Sequence, residues 1–383
     1  MGIVFWLAAC VVAFTYAGYP LLMAVRAALG ARPVASDPQL PTIDVLLVAH
    51  GAAGQVAAKL RNLLALDYPP DRLRVTLACD GCNDTEAAAR AVDSPRLRVL
   101  AFHPRRGKSA CIADALPRLD AELVLFTDVR QRIDPGAARL LAAAFADPGV
   151  GAASGELVLE ADNGYGRGID AYWRYEKLLR RLETASGSII GATGALYAAR
   201  RALVSPPPPG IVLDDMWIPL AIAARGHRIV FVPDALAYDR GAVDSASEEA
   251  RKRRTLAGNY QLLHRWPALA LPGAHPLALR LWGHKWLRLL APWCLLALLA
   301  SNAWLVAAGA SELYLAALVL QLAAYALALC ARMRPALAAA WLPARLCGAF
   351  LSLNFSALLA LLDYLRNPDA HLWRTTQLGA ASR

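Results

Sequence analysis

Aspartates stand at three points of the sequence where a carboxylate could do chemistry. Asp80 and Asp128 each follow an apolar run typical of a buried strand, and the adjacent pair Asp214 and Asp215 precedes an apolar helical run. A carboxylate at the end of a buried strand is costly unless it binds a partner. The three positions are therefore candidates for binding a cation or a hydrogen-bond donor, or for accepting a proton.

Asp128 is the best candidate for a metal ligand. It follows the run Leu123–Phe126 and Thr127, and the competing interpretations are a helix cap or an ion pair with Arg130. Mg²⁺ in proteins is commonly bound by one or two carboxylates together with substrate phosphates. We therefore favour a divalent cation on Asp128 that bridges the oxygens of a diphosphate.

The other aspartates each have a structural and a functional interpretation. Asp80 opens the turn Asp-Gly-Cys-Asn-Asp, where its carboxylate could accept hydrogen bonds from a uracil or a ribose, although a plain Asp-Gly turn explains it equally well. Either Asp214 or Asp215 could cap the helix that follows. Paired carboxylates in a cleft also push each other's pKa apart, so that one of them can serve as a base.

Two groups of cations could receive a phosphate. Gly107 and Lys108 begin a predicted helix, and a glycine, a cation and a helix N-terminus together favour a phosphate group, although a solvated basic turn is the simpler interpretation. The run Arg251–Arg254 lies in a predicted amphipathic segment, Ser247–His264. It could bind lipid headgroups or neutralise a departing diphosphate, and both interpretations stay open.

Alternating strand and helix patterns between Thr42 and about Asp239 must position these residues. The predicted pairs of strand and helix are Ile43–Val48 with Gln55–Ala65, Leu73–Ala78 with Thr85–Ala91, Leu97–Leu100 with Ser109–Leu116, and Leu123–Phe126 with Pro135–Phe145. This alternation predicts an α/β fold with a mainly parallel sheet covered by helices. Ligands of such sheets bind beyond the carboxyl ends of the strands, which is where the sequence places His50, Asp80, His103 and Asp128.

Apolar runs flank this region and predict membrane spans. Gly2–Val25, Leu289–Ser311 and Leu313–Ala331 carry no charge and are long enough to cross a bilayer. A further apolar stretch, residues 335–362, is interrupted by Pro343 and Arg345, so the number of spans, three or four, and the side of the C-terminal tail stay open. Arginines after the first run predict that the following domain lies in the cytoplasm. The protein would then be a multi-pass protein of the inner membrane.

The net charge of +10 is concentrated beside the apolar runs, which favours anionic membrane lipids over nucleic acid as the partner. The seven cysteines show no disulfide framework, and the pair Cys79 and Cys82 lacks the companions of a zinc site. The sequence thus predicts four parts: residues 1–32 as a transmembrane anchor, 33–245 as a catalytic domain, 246–288 as an amphipathic interface segment, and 289–383 as transmembrane helices and a tail.

The order and spacing of the motifs resemble the membrane-bound branch of the family 2 glycosyltransferases. Residues 62–80 resemble the family's first helix and second strand, 106–108 its glycine–lysine turn, 126–128 its metal-binding strand end, 191–197 its acceptor-side glycine loop, and 213–215 its short acidic motif; residues 251–261 stand in the place of its Q-x-x-R-W. The resemblance implies a GT-A, Rossmann-like nucleotide-sugar domain with transmembrane helices at both ends of the chain.

The resemblance also implies an activity: inverting transfer of a sugar from a nucleotide sugar, with UDP favoured, to a membrane-lipid or glycan acceptor at the cytoplasmic face. It implies Asp215 as the base and Asp128 as the ligand of Mg²⁺ or Mn²⁺. Donor-binding residues would be Asp80, Lys108, Arg130, Asp214, Arg251 and Arg254. Acceptor-side residues would be Gly191, Thr193 and Gly194, together with Trp173 and Glu176 of an aromatic-rich helical stretch that could equally be packing.

Three departures from the family pattern stand out. His50–Gly51–Ala52 replaces the usual aromatic–Asn–Glu, and Asp128–Val129–Arg130 replaces the usual D-x-D, so that Arg130 stands where the second carboxylate would be. Thr255 replaces the tryptophan of Q-x-x-R-W, which disfavours synthesis of long chains.

Other functional classes predict different features. The catalytic subunit of an exported polysaccharide synthase would need export partner proteins, because at most four spans make a poor channel of their own. A transporter would carry ionisable residues inside its spans, and the three uncharged runs contain none. A non-catalytic partner of another transferase would have no need of Asp80, Asp128 and Asp215.

Overall fold

A computed structural model describes residues 1–38, 40–160, 166–240 and 245–366. The chain divides into two compact units. We call the first the membrane unit; it comprises Met1–Ala31, Ala161–Ser186 and Glu249–Arg366. We call the second the sheet unit; it includes Arg32–Glu160 and Gly187–Glu248.

The sheet unit is built on one eight-stranded mixed sheet in the order β3-β2-β1-β4-β7-β6-β8-β5. The strands are β1 (Ile43–Ala49), β2 (Leu73–Asp80), β3 (Leu97–Phe102), β4 (Leu123–Thr127), β5 (Arg132–Ile133), β6 (Val150–Glu160), β7 (Tyr197–Arg200) and β8 (Arg228–Arg240). Strands β1 to β4 pair in parallel, and β6 pairs in parallel with β8. Strand β7 runs antiparallel between β4 and β6, and β5 runs antiparallel to β8.

The helices cover the sheet and form the membrane unit. They are α1 (Gly2–Ala13), α2 (Tyr19–Leu29), α3 (Ala53–Leu64), α4 (Asn83–Arg90), α5 (Lys108–Ala115), α6 (Ala137–Ala143), α7 (Gly166–Ala185), α8 (Asp214–Ala224), α9 (Ser245–Arg265), α10 (Ala278–Leu281), α11 (Leu287–Ala307), α12 (Glu312–Met333), α13 (Pro335–Ala340) and α14 (Leu342–Arg366). Two π-helical turns, Phe14–Gly18 and Trp282–Trp286, join α1 to α2 and α10 to α11.

The predicted α/β fold with a mixed, mainly parallel sheet is confirmed. All seven residues of β1 are buried, as expected for a central parallel strand that is covered on both faces. Because β1 to β4 are parallel, their carboxyl ends share one edge. At that edge Asp80 is the last residue of β2, and His50, His103 and Asp128 follow β1, β3 and β4.

Within the described residues, four helical segments of the membrane unit are long and apolar enough to cross a membrane. They are Gly2–Leu29, Ala278–Ala307, Glu312–Met333 and Leu342–Arg366. The last is one helix of 25 residues, which has Pro343 and Arg345 in its first turn. The apolar stretch 335–362 is interrupted just before them, since α13 ends at Ala340 and Trp341 has an extended backbone. The second begins well before the uncharged run at Leu289 and therefore includes the basic residues Arg280, Lys285 and Arg288.

Helix α7 is held in the membrane unit by a buried polar network. The Tyr19 hydroxyl donates to Glu183 Oε1 at 2.6 Å, and His284 Nδ1 lies 2.9 Å from the same oxygen. The other ring nitrogen of His284 lies 3.1 Å from Glu176 Oε2. Arg280 donates to the main-chain oxygen of Ser186 at 2.8 Å, which satisfies a carbonyl just beyond the end of the helix.

Candidate active site

Lys108 is the centre of an ionic cluster in the sheet unit. Gly107 has φ 91°, a conformation that favours glycine, and Lys108 is the first residue of α5. The lysine Nζ lies 2.9 Å from Asp128 Oδ1 and 3.1 Å from Asp214 Oδ2. The structure therefore brings together three residues that the sequence predicted for the donor and the metal.

Asp215 joins this cluster through the glycine loop. The Gly194 N–H donates to Asp215 Oδ2 at 2.9 Å. A Cβ added to Gly194 would lie 3.1 Å from Asp215 Oδ2 and 3.6 Å from Asp128 Oδ2, so glycine lets the loop approach both carboxylates. Neighbouring Thr193 N–H donates to Ser154 Oγ at 3.0 Å, and a Cβ at Gly191 would lie 3.0 Å from Met216 Cγ. The loop packs close to the start of α8.

Helix capping does not explain the aspartate pair. The N-cap of α8 is Leu213, and Asp214 and Asp215 lie in the first turn of the helix without a side-chain cap. The positive end of the helix dipole still favours carboxylates there.

The carboxylates perturb one another. Burial, followed by the charge of Asp214, raises the pKa of Asp215 to about 6, while the Gly194 N–H and Lys108 oppose the rise. Burial also raises the pKa of Asp214, against the opposing charge of Lys108. Burial lowers the pKa of Lys108, but Asp128, Asp214 and Asp215 outweigh it, so the net pKa is above the ordinary value and the amine stays charged.

Asp80 holds the turn that carries Lys108. Its Oδ1 accepts the Arg106 N–H at 2.7 Å, and its Oδ2 accepts the Gly107 N–H at 3.0 Å. His50 Nδ1 lies 2.5 Å from the main-chain oxygen of Asp80. The predicted contact of Asp80 with a nucleoside stays a prediction, and the structure gives this carboxylate a second task that the sequence did not indicate.

Arg130 lies against an aspartate that sequence reasoning missed. Its guanidinium lies 3.1 Å from Asp239 Oδ2, and Gln131 Nε2 donates to the same oxygen at 2.8 Å. Asp239 is buried, whereas about half of the Arg130 side chain is exposed. Binding of Arg130 to a diphosphate stays a prediction, and it would compete with this ion pair.

Lys59 contacts the end of β4, which Asp128 follows, and was also missed. It is 4% exposed, and its Nζ donates to Thr127 Oγ1 at 2.9 Å and to Gln131 O at 2.6 Å. Burial lowers the pKa of Lys59 to about 7, against the raising effect of Asp128 and Asp239. The available signal was its position on the apolar stripe of α3 with Val56, Leu60 and Leu63.

Tyr197 is a further missed residue. Its ring stacks on Phe126 with a centroid separation of 4.6 Å, and its hydroxyl is buried without a hydrogen-bond partner among the residues that the structure describes. Burial, followed by the charges of Asp214, Asp215 and Asp128, raises the pKa of Tyr197 well above the ordinary value. The phenol therefore stays protonated beside the acidic cluster.

Asp128 is the candidate metal ligand in the sheet unit. In the described ranges, no three acidic, histidine or cysteine side chains are placed to hold a metal by themselves. Asp128 offers the hard oxygen ligand that Mg²⁺ or Mn²⁺ prefers, and the adjacent lysine offers a charge for phosphate. The residues fit a cation that is shared with a diphosphate.

Four of the predicted site residues belong to the membrane unit. Trp173 and Glu176 lie on α7, and Arg251 and Arg254 lie on α9. Glu176 pairs with Arg288 and His284 of the same unit. Binding of the donor by Arg251 and Arg254, and of the acceptor by Trp173 and Glu176, stays a prediction. The predicted tail, residues 367–383, lies outside the described residues.

Two curated glycosyltransferases are similar to part of this chain. An N-acetylglucosaminyltransferase of Rhizobium meliloti (strain 1021) is 26% identical over 228 residues, which cover 55% of this chain and 53% of the relative. A second, from Sinorhizobium fredii (strain NBRC 101917 / NGR234), is 25% identical over 229 residues, 54% of each chain. The chain thus spans about half the length of these curated relatives.

Among solved structures, a mannosyltransferase from Pyrobaculum calidifontis in complex with GDP-Man and Mn²⁺ aligns with a TM-score of 0.71 and 25% identity. The alignment covers 94% of this chain and 99% of the other. The family model for "Glycosyltransferase like family 2" matches residues 41–267, which contain the sheet, the lysine turn and all four aspartates. Because this match takes in more than half of the residues, the chain belongs to the glycosyltransferase-like family 2.

Proposed function

We propose that the protein is an inverting glycosyltransferase that moves a sugar from a nucleotide sugar to a membrane-lipid or glycan acceptor. The observation that carries the proposal is the cluster of Lys108, Asp128 and Asp215 at the carboxyl edge of the sheet. The curated relatives named above are N-acetylglucosaminyltransferases, which favours a UDP-sugar donor. The four apolar helices support a location of the enzyme in a membrane. The basic residues beside these helices favour a catalytic domain at the cytoplasmic face of the inner membrane.

Three residues of the chain have separate roles in the proposed reaction. Asp215 accepts the proton of the acceptor hydroxyl as the hydroxyl oxygen attacks the anomeric carbon from the face opposite the nucleotide. The bond between this carbon and the diphosphate oxygen breaks, and the nucleoside diphosphate leaves. Lys108 offers its charge to the diphosphate, and Asp80 fixes the turn on which Lys108 stands. Mg²⁺ or Mn²⁺, held by Asp128 together with diphosphate oxygens, would stabilise the negative charge of the leaving group.

The first test is release of nucleoside diphosphate from a panel of donors by detergent-purified protein with membrane lipid extract. The panel includes UDP-N-acetylglucosamine, UDP-glucose and GDP-mannose, each with Mg²⁺, Mn²⁺ or EDTA. We expect metal-dependent release from a UDP-sugar that Asp128→Ala abolishes. Release from GDP-mannose alone would replace the UDP assignment, and no release from any donor would favour a non-catalytic partner of another transferase.

Turnover should fall in acid. Because the pKa of Asp215 is raised to about 6, its carboxyl becomes protonated at a higher pH than an exposed aspartate does, and the protonated form cannot accept a proton. We expect kcat at saturating donor to drop about tenfold per pH unit below about pH 6 and to level off above it. The measurement is kcat from about pH 4.5 to about pH 8. A profile that stays flat down to the acid end would rule out a base with this pKa.

A further inference from the structure

The Lys108 ammonium lies against the carboxylate of Asp128, the proposed ligand of the metal ion. Its Nζ lies 2.9 Å from Asp128 Oδ1 and 3.1 Å from Asp214 Oδ2. The lysine side chain is 15% exposed and that of Asp214 is 5% exposed, so water screens the contact weakly. An ammonium and a divalent cation at the same carboxylate repel each other, so each weakens the binding of the other.

The backbone beneath Lys108 is fixed, so the side chain is the part that can move. Asp80 holds the N–H groups of Arg106 and Gly107, and these two hydrogen bonds fix the start of α5. The lysine has a flexible four-carbon stem and can redirect its ammonium to another anion without moving this turn. A diphosphate at the N-terminus of α5 would supply such an anion.

We propose that Lys108 competes with the divalent cation for Asp128 and that the diphosphate of the donor ends the competition. With no nucleotide bound, the ammonium holds Asp128 and Asp214 together and weakens metal binding. When the diphosphate binds, it attracts the ammonium and leaves Asp128 to the metal ion, so that metal and donor bind cooperatively. The inference rests on the proposed function, since it assigns Asp128 to a metal that is shared with the donor.

The test is titration of the detergent-purified full chain with Mn²⁺, followed by electron paramagnetic resonance of the free ion. Without nucleotide, we expect Lys108→Met to bind Mn²⁺ on the order of tenfold more tightly than wild type, a change of about 1.4 kcal/mol. This gain is well within the interaction of two charges about 3 Å apart. UDP should tighten Mn²⁺ binding in wild type by a factor about tenfold larger than in the variant, because only wild type has an ammonium that the diphosphate can attract away from Asp128.

Three variants serve as controls. Lys108→Arg keeps the cation and should keep weak Mn²⁺ binding. Arg106→Met lies on the same turn, removes a cation that pairs with Asp114 instead, and should leave Mn²⁺ affinity unchanged. The gain of Lys108→Met should vanish when Asp128→Ala is added, which would locate the bound ion at Asp128. Thermal unfolding with each preparation confirms that the variants are folded.

Equal or weaker Mn²⁺ binding by Lys108→Met would overturn the competition and leave Lys108 as a support for the metal site. The failure of the proposed function has a different signature. If wild type releases no nucleoside diphosphate in the presence of any metal, the transferase assignment fails. If wild type turns over with metal while Lys108→Met shows no gain in Mn²⁺ affinity, only the competition fails.

Discussion

Replacing Asp215 with Asn is expected to lower kcat about a thousandfold while the donor KM changes little. The amide has the shape of the carboxylate and can still accept the Gly194 N–H, which lies 2.9 Å from Asp215 Oδ2. It cannot accept a proton. The loss should therefore fall on the step in which the acceptor hydroxyl is deprotonated, and not on donor binding.

The measurement is kcat and KM of Asp215→Asn with the donor found in the panel, together with UDP binding by calorimetry. Asp214→Asn is the matched control, because Asp214 is the neighbouring carboxylate and pairs with Lys108. Asp214→Asn keeps the base and should retain much more turnover. Near-normal turnover of Asp215→Asn with unchanged UDP affinity would place the base elsewhere.

Gly81→Ala is expected to loosen the turn that carries Lys108. Gly81 has φ +63°, and a Cβ there would lie 2.7 Å from the backbone nitrogen of Arg105 and 2.8 Å from its Cα. The backbone of residues 105–107 would have to shift, which breaks the hydrogen bonds that Asp80 accepts from it. We expect a loss of about 2–4 kcal/mol in the free energy of unfolding, from backbone strain and two hydrogen bonds.

The shift of the turn should also raise the donor KM about tenfold or more, because Lys108 moves with it. Gly226→Ala is a matched control: Gly226 has φ +87°, but nothing lies within 4 Å of an added Cβ. It should cost only about 1–2 kcal/mol of conformational strain and leave the donor KM unchanged. Equal effects of the two substitutions on stability and KM would show that the contact with Arg105 has no role.

Much of the sheet could be predicted because buried parallel strands have a local signature. Apolar runs bounded by turn residues predicted β1 to β4 with their ends within two residues of those observed, and the GT-A prediction is confirmed by the family and by the mannosyltransferase structure. Strands β6, β7 and β8 were not predicted individually. Their pairing joins segments far apart in sequence, such as Ala152 with Ala199, and no local pattern determines that register.

The site was predictable where a charged residue follows a predicted strand or begins a predicted helix. Asp128, Asp214 and Lys108 were found from their residue type and position, and the structure brings them together. Lys59 was missed because it replaces an apolar residue on a buried helix face, and only the geometry shows that it reaches Thr127 and Gln131. Asp239 was missed because β8 was not predicted as a strand, so the position of this carboxylate near a strand end was not recognised.

The spans were predicted from the absence of charge, and this criterion underestimates helices that carry buried polar groups. Helix α11 and the π-helical turn before it extend the second span back through His284 and Arg288. Both residues contact glutamates of α7 within the membrane unit. A hydropathy pattern cannot include partners that are distant in sequence.

The order of the two units along the chain limits how the protein can be truncated. Helix α7 belongs to the membrane unit but lies in sequence between two parts of the sheet unit. A chain trimmed to residues 32–248 would keep α7 and lose Tyr19 and His284, the partners of the fully buried Glu183. It would also uncover Leu179, which packs with Tyr19 and Met23. Removal of the terminal helices alone would therefore give a protein that aggregates. A water-soluble sheet unit would also require removal of α7 and a new connection between β6 and the glycine loop.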